Sequence, residues 1–298
     1  MQSALIPFSK TYLNQHASSP VTQLLSEVGL LDSASFPTVA QLNNAINCFQ
    51  SNWNGPSFKG QSTFSPDEKR YYETIISEDN VVPTREDSWH DLFNALIWLQ
   101  FPKTKQLLNT LHIEDIKAVG ANPRTPRRNR ITHFDECGVV LAVEFKGHRR
   151  EERNREHAAK SNINISKWLD DLAHHNWQSV FVEHREVWHQ CVTPFVFGHA
   201  NLEMMLNPFI GLTGKWLAVA VPEGFHKQSP WQQRATLDDA MVDRINKLGC
   251  FQHSPLLKPL PLLGVPTWHD NQTSEFYQNT EYFRPLRKNA KATIQLPL

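Results

Sequence analysis

Apolar residues recur at helical spacing over long stretches of this chain, and in one stretch they crowd out nearly everything else. Residues 20–31 (PVTQLLSEVGLL) and 38–50 (TVAQLNNAINCFQ) carry the i, i+3, i+4 spacing of amphipathic helices. Residues 65–77 open with Ser65-Pro66-Asp67-Glu68: a cap, a first-turn Pro and a capping-box Glu, in the order that starts a helix. The helix predicted over 86–101 contains WHDLFNALIWLQF and is apolar on almost every side. Pro102 ends it and, with its φ already helical, begins a second helix through about Val119.

Beyond that pair the pattern changes. ANPRTPRRNR reads as a Pro- and Arg-rich loop. ITHF and GVVLAVEF are β-prone runs on either side of Asp135-Glu136-Cys137-Gly138, which predicts a β-hairpin with both acids at its turn. Residues 166–175 and 177–190 read as helices. TPFVF (193–197) and KWLAVAV (215–221) read as strands with a helix near 200–206 between them. Thr236 to Gly249 forms a further helix with a capping Thr and a terminal Gly. The Pro-rich tail from 254 holds Trp268, Phe276, Tyr277, Tyr282 and Phe283, and so many rings predict packing along the domain. The expected class is α+β: a helix-rich single domain with a small, largely antiparallel sheet. A helical part, about residues 1–120, would pack on an α+β part, about 121–298.

Composition narrows the function classes. Lys plus Arg number 30 and so do Asp plus Glu, so net charge does not mark a nucleic-acid or membrane-surface protein. No run approaches the roughly 18 apolar residues of a membrane span. Cys48, Cys137, Cys191 and Cys250 are far apart with no C-x-x-C pair. This argues against a cysteine zinc site and predicts free thiols. With an N-terminus, MQSALIPFSK, that lacks signal-peptide features, the expected compartment is the cytoplasm.

The chemistry concentrates on the apolar helix. At about 100° per residue, His90, Asn94 and Asp91 share an arc of about 100°. An amphipathic helix would turn that arc to water, but Trp98 and Phe101 fall inside it. A partly buried stripe must have its polar groups paired, so the stripe is expected to face a pocket. On the next helix Lys105, Asn109 and His112 stand at i, i+4 and i+7, on one face. Three groups from elsewhere are candidates to join: Asp135 and Glu136 at the predicted turn, and His199, which follows Gly198 at a strand-to-helix junction with Glu203 four residues on. Neighbouring acids with histidines suit a divalent metal.

A competing motif is Asp135 with Glu144-Phe145-Lys146, a D-x(8)-E-x-K spacing like that of Mg²⁺-dependent nucleases. The spacing is short, and Phe134 stands where such nucleases have Pro. From Arg124 to Lys160 ten Lys or Arg outnumber six Asp or Glu. Arg124, Arg127, Arg128 and Arg130 cluster without intervening acids, which suits phosphate or RNA. No P-loop, dinucleotide-binding, G-x-S-x-G or H-E-x-x-H motif occurs.

Several stretches together resemble a family of bacterial, mostly proteobacterial, proteins of unknown function. They are WHDLFNALIWLQFPKTKQLLN, R-x-T-x-F-D-E-x-G at 130–138, FGHANLE at 197–203 and GVPTW…FYQNTEYFRP near the C-terminus. The resemblance brings no activity with it. It implies that His90, Asp91, Asn94, Lys105, Asn109, Arg130, Asp135, Glu136 and His199 fall in the family's signature blocks, whereas Glu144 and Lys146 do not.

Two functions are expected from these readings. The first is a metal-dependent hydrolase of a phosphorylated or nucleotide-like substrate. In it His90, Asp91 and Glu136 are catalytic, and Asp91, Asp135 and His199 hold Mg²⁺, Mn²⁺ or Zn²⁺. Asn94, Lys105, Asn109 and Arg130 bind the substrate. The second is a non-catalytic module that binds nucleic acid or protein and uses the polar cluster as a structural network.

Overall fold

The computed structural model of the chain describes residues 6–49, 53, 55–144, 164–253, 257–289 and 298. The helices in the first part are α1 (Lys10–His16), α2 (Ser19–Glu27) and α3 (Val39–Phe49). Then come β1 (Ser57–Gly60), α4 (Tyr72–Asp79), β2 (Val81–Thr84), α5 (Trp89–Gln100), α6 (Pro102–Val119) and α7 (Pro126–Cys137). The remainder comprises β3 (Gly138–Glu144), α8 (Ile165–Ala173), α9 (Val187–Gln190), β4 (Val192–Val196) and α10 (His199–Met204). It ends with β5 (Thr213–Val221), α11 (Pro230–Lys247), β6 (Lys258–Pro261) and α12 (Ser274–Tyr277). This is the expected helix-rich α+β fold.

The larger sheet has the order β4-β3-β5-β6. Its outer pairs are antiparallel and its central pair, β3 with β5, is parallel, with Val140 opposite Leu217. β3 is apolar at five successive positions, Val139 to Val143, all buried, the pattern of a strand covered on both faces. A second, two-stranded parallel sheet pairs β1 with β2 inside the first 120 residues.

α5 explains its own composition. Every residue of it except His90 is buried, so a helix apolar all round is enclosed all round. The Trp89 ring stacks on Phe8 at 4.8 Å and meets Phe36 at 4.9 Å. Asp87 takes a left-handed backbone (φ 57°). Ser88 then caps the helix by accepting from the Asp91 N–H at 3.3 Å, so it begins at Trp89 rather than near 86. Its far end runs into α6, whose first free N–H groups at Lys103 and Thr104 donate to the Asp238 carboxylate of α11, both at 2.9 Å.

Several local expectations are corrected. Thr125-Pro126 supplies a cap and a first-turn Pro, with Thr125 accepting from the Arg128 N–H at 3.0 Å. The segment read as a loop and then a hairpin is therefore a helix, α7, and Asp135 and Glu136 lie in its last turn. The similar signal at Ser65-Pro66 makes only a turn. Its Glu68 is drawn to Arg70, which also binds Glu78 and Asp79, and the helix there begins at Tyr72. α11 starts earlier than expected, at a capping box of Ser229 and Gln232. Residues 177–190 split into a π-helical turn, Ser179–Glu183, and the short α9. Phe181 in that turn is wedged among Trp177, Trp188, Tyr277 and Phe283 at 5.6–5.8 Å. The aromatic tail thus packs as expected.

Candidate metal centre

Three elements meet at one point, and a glycine permits it. A Cβ on Gly198 would lie 2.4 Å from the Glu136 carbonyl oxygen and 2.5 Å from the Gly138 nitrogen, so no other residue tolerates the approach. The Gly198 N–H donates to Gly138 O at 2.8 Å. Asn201 Nδ2 donates to Cys137 O at 2.9 Å. The start of α10 is thereby pressed onto the end of α7, and His199 lands beside Glu136, with Nε2 3.4 Å from Oε2. From α5, His90 sets its ring edge-on to His199, centroids 4.6 Å apart. Nδ1 of His90 lies 2.9 Å from Glu203 Oε2. One ligand atom from each of His90, Glu136 and His199 lies within 4.8 Å of the others. On an ion bound tetrahedrally at zinc distances, ligand atoms sit about 3.4 Å apart. The His199–Glu136 pair has that spacing, and a His90 nitrogen lies within 4.8 Å of both.

The electrostatics suit a cation. The hydrogen bond to Glu203 raises the His90 imidazole above its ordinary value against the opposing effect of burial. Burial, then the Asp135 charge, raises the Glu136 carboxyl. Burial drives the His199 imidazole down to about 3, with Asp135 opposing, so this ring is a neutral donor at any ordinary pH. Two nitrogens and a carboxylate oxygen form the donor set of catalytic zinc sites and of other divalent-metal sites.

A cavity of about 410 Å³ opens beside the three side chains. His90, Asp91, Asn94, Lys105, Asn109, Asp135, Glu136 and His199 all line it, and so do Arg85, Tyr72, Trp98, His112 and Arg124. The stripe on α5 therefore faces a pocket and is paired as burial requires. Lys105 is buried. Its Nζ donates to Asp135 Oδ1 at 2.5 Å and to Asn94 Oδ1 at 2.9 Å. It lies 5.5 Å from the Trp98 ring centre, which accounts for an aromatic residue in the polar arc. Asn94 Nδ2 donates onward to the Tyr72 hydroxyl at 2.7 Å. Burial acts to raise the Asp135 carboxyl, but Lys105 and the nearby imidazoles outweigh it and hold it below its ordinary value.

The expected ligand set is regrouped. Asp91 and Asp135 line the cavity, but a cation holds each: Asp135 has Lys105, and Asp91 accepts from Arg85 N at 2.6 Å, Nε at 3.1 Å and Nη2 at 2.8 Å. His90 and Glu136 stand with His199 instead. Arg130 is turned elsewhere, donating from Nε to Phe251 O at 2.7 Å and from Nη2 to Gln252 O at 2.9 Å. Arg127 pairs with Glu114 and Asp115 at 3.0 Å, and Arg128 is fully buried. Glu144 closes the far end of β3 on Gly224 N and His226, at 2.8 and 2.7 Å, about 20 Å along the strand from α7. Lys146 lies outside the described residues.

Sequence reasoning did not assign Glu203, Arg85 or Tyr72. Glu203 carried a usable signal, since it stands four residues after His199 and so shares its helical face. Arg85 and Tyr72 had none. Among the described residues no disulfide joins Cys137, Cys191 or Cys250, and the Cys48 side chain lies outside them. Among the described residues no helix is long and apolar enough to cross a membrane.

Neither the curated proteins nor the solved structures contain a match to this chain. Residues 57–287 match the family described as protein of unknown function (DUF3025). That span takes in the whole lining of the cavity, and by it the chain belongs to the DUF3025 family.

Proposed function

We propose that the chain is a divalent-metal-dependent hydrolase of a phosphorylated or nucleotide-like substrate. The observation that carries this reading is the gathering of His90, Glu136 and His199 within 4.8 Å at the wall of a 410 Å³ cavity. A solvated polar face would not place two imidazoles and a carboxylate from three elements together. Nor would it hold the spare nitrogen of His90 with a carboxylate. With Nδ1 on Glu203, the His90 Nε2 is free to bind metal, the usual outer support of a ligating histidine. Three protein ligands leave coordination positions open, as catalytic sites do.

When bound, Zn²⁺, Mn²⁺ or Mg²⁺ supplies Lewis-acid activation of a water nucleophile and of the bond under attack. The chain's own residues do the rest. Lys105, fixed by Asp135 and Asn94, places one buried positive charge on the cavity wall beside the three ligands. Asp91 anchors Arg85 at the rim. In the reaction water adds at phosphorus, the bond to the leaving oxygen breaks, and that oxygen takes the proton. The nucleic-acid alternative drew on the arginine cluster, and Arg127, Arg128 and Arg130 all donate to acceptors within the protein.

The test is turnover of chromogenic phosphate mono- and diesters by protein stripped with chelator and reloaded with each metal. Metal-dependent turnover that is lost in Glu136→Gln is expected. Absence of turnover with every metal, or turnover unchanged in that variant, overturns the reading.

A further inference from the structure

α6 and α7 run antiparallel and are joined by two polar rungs. In the first, Lys105 meets Asp135. In the second, seven residues on along each helix, Arg128 Nε donates to His112 Nδ1 at 3.3 Å. Two helical turns separate the rungs, about 10 Å. The first rung adjoins the proposed metal ligands, and His112 of the second lines the same cavity two turns away.

The second rung fixes the chemistry of His112. A guanidinium is always protonated and only donates, so His112 Nδ1 must be the accepting nitrogen. The ring is then neutral, and its hydrogen sits on Nε2. Among the described residues Nε2 has no hydrogen-bond partner, although His112 is only 6% exposed and lines the cavity. Behind it Arg128 is 0% exposed. Its Nη1 donates to Ala121 O at 2.6 Å, and among the described residues its Nη2 has no hydrogen-bond partner and no carboxylate pairs with it. A buried cation without a counter-ion favours an anion nearby. Arg124 lines the cavity beside His112, and among the described residues its guanidinium is held only by a 3.4 Å bond to Thr132 Oγ1. Glu73 is the opposing charge, 3.7 Å from His112 Nδ1. Asp115 also feels the Arg128 charge but is held by Arg127 at 3.0 Å, so Glu73 is the acid that faces Arg124 and Arg128 across His112.

We propose that this end of the cavity is an oxyanion subsite, in which His112 Nε2–H and the Arg124 guanidinium hold a phosphate group of the substrate. The inference deepens the hydrolase reading, because it gives the substrate an anionic group about 10 Å from the Lys105–Asp135 rung, apart from the bond that is cleaved. The subsite itself needs no metal.

The test is calorimetric titration of the chelator-treated full chain with inorganic phosphate, with acetate as the competing anion. One phosphate is expected to bind, more tightly than acetate. Arg124→Gln, an exposed position, should weaken it about tenfold, the scale of one charge-assisted hydrogen bond, with an unchanged melting temperature. His112→Phe should weaken it as well, but with a lower melting temperature, because it takes the acceptor from the buried Arg128 Nε. Glu136→Gln should leave phosphate binding intact, which separates this claim from the metal reading. No phosphate binding at millimolar concentration, equal binding in Arg124→Gln, or loss in Glu136→Gln alone overturns the subsite. Tighter binding of acetate overturns its assignment to phosphate.

Discussion

The His90 ring on α5 and the Glu203 carboxylate on α10 meet at 2.9 Å across 113 residues of chain. Glu203 sits on the helix that also carries His199, so one six-residue element supplies both a proposed metal ligand and the group that orients another. Removing such an outer partner typically costs 10- to 100-fold in metal affinity. Glu203→Gln is therefore expected to weaken Zn²⁺ binding by about that factor. The Glu203 side chain is 43% exposed, so the metal-free melting temperature should move little. A chelator-competition titration measures the first and a thermal melt the second.

Lys105 and Asp135 form a pair of which one side chain is 3% exposed and the other 24%. Breaking such a pair strands a charge. Lys105→Met should cost about 2–4 kcal/mol in urea unfolding, less than a fully buried pair because Asp135 reaches some solvent. The double variant with Asp135→Asn should recover part of that loss, and a simple sum of the two single effects would contradict the coupling.

Arg130 holds the carbonyls of Phe251 and Gln252 at a place where Cys250 and Phe251 both take left-handed backbone (φ 50° and 62°). Arg130→Ala should lower stability by about 1–2 kcal/mol, the worth of hydrogen bonds from a charged donor. It should leave metal and phosphate affinity unchanged. A drop in either affinity would return Arg130 to the substrate site.

Asp171 offers a pH test away from the cavity. Burial acts to raise its carboxyl, but Lys167, Asn176 and Ser179, all hydrogen-bonded to it at 2.8–2.9 Å, outweigh burial and hold it below its ordinary 3.8. A depressed folded value means that the unfolded chain binds the proton first on acidification. The stabilisation is therefore complete above the ordinary value and is lost as pH falls through the folded one. Asp171→Asn should be less stable than the parent by about 1–2 kcal/mol at neutral pH, and the gap should close only below pH 3.8. A gap constant down to pH 2 would contradict this.

The two long helices were legible because their signals are local: an apolar run and Pro102. The pocket on the α5 stripe was legible from Trp98, whose ring had no place in a solvated arc. α7 was misread because ITHF followed by GVVLAVEF looks like two strands, and the cap at Thr125-Pro126 that decides the matter lies inside an arginine-rich run. Which acid joins the histidines was beyond sequence reasoning. Asp91 and Glu136 are equally acidic on paper, and only the position of Arg85 in space separates them. Gly198 carries the same lesson, since its need to be glycine is a contact with Glu136 and Gly138 across 60 residues of chain.

The central claim is that His90, Glu136 and His199 hold a divalent ion. The most direct measurement is an anomalous difference map from crystals of the full chain grown with Zn²⁺, recorded on both sides of the zinc edge. The account predicts one strong peak about 2.1 Å from a nitrogen of each histidine and from a Glu136 oxygen, with His90 Nδ1 still on Glu203. A map with no peak among these three side chains at saturating zinc, or with the ion on Asp91 or Asp135 instead, would contradict it.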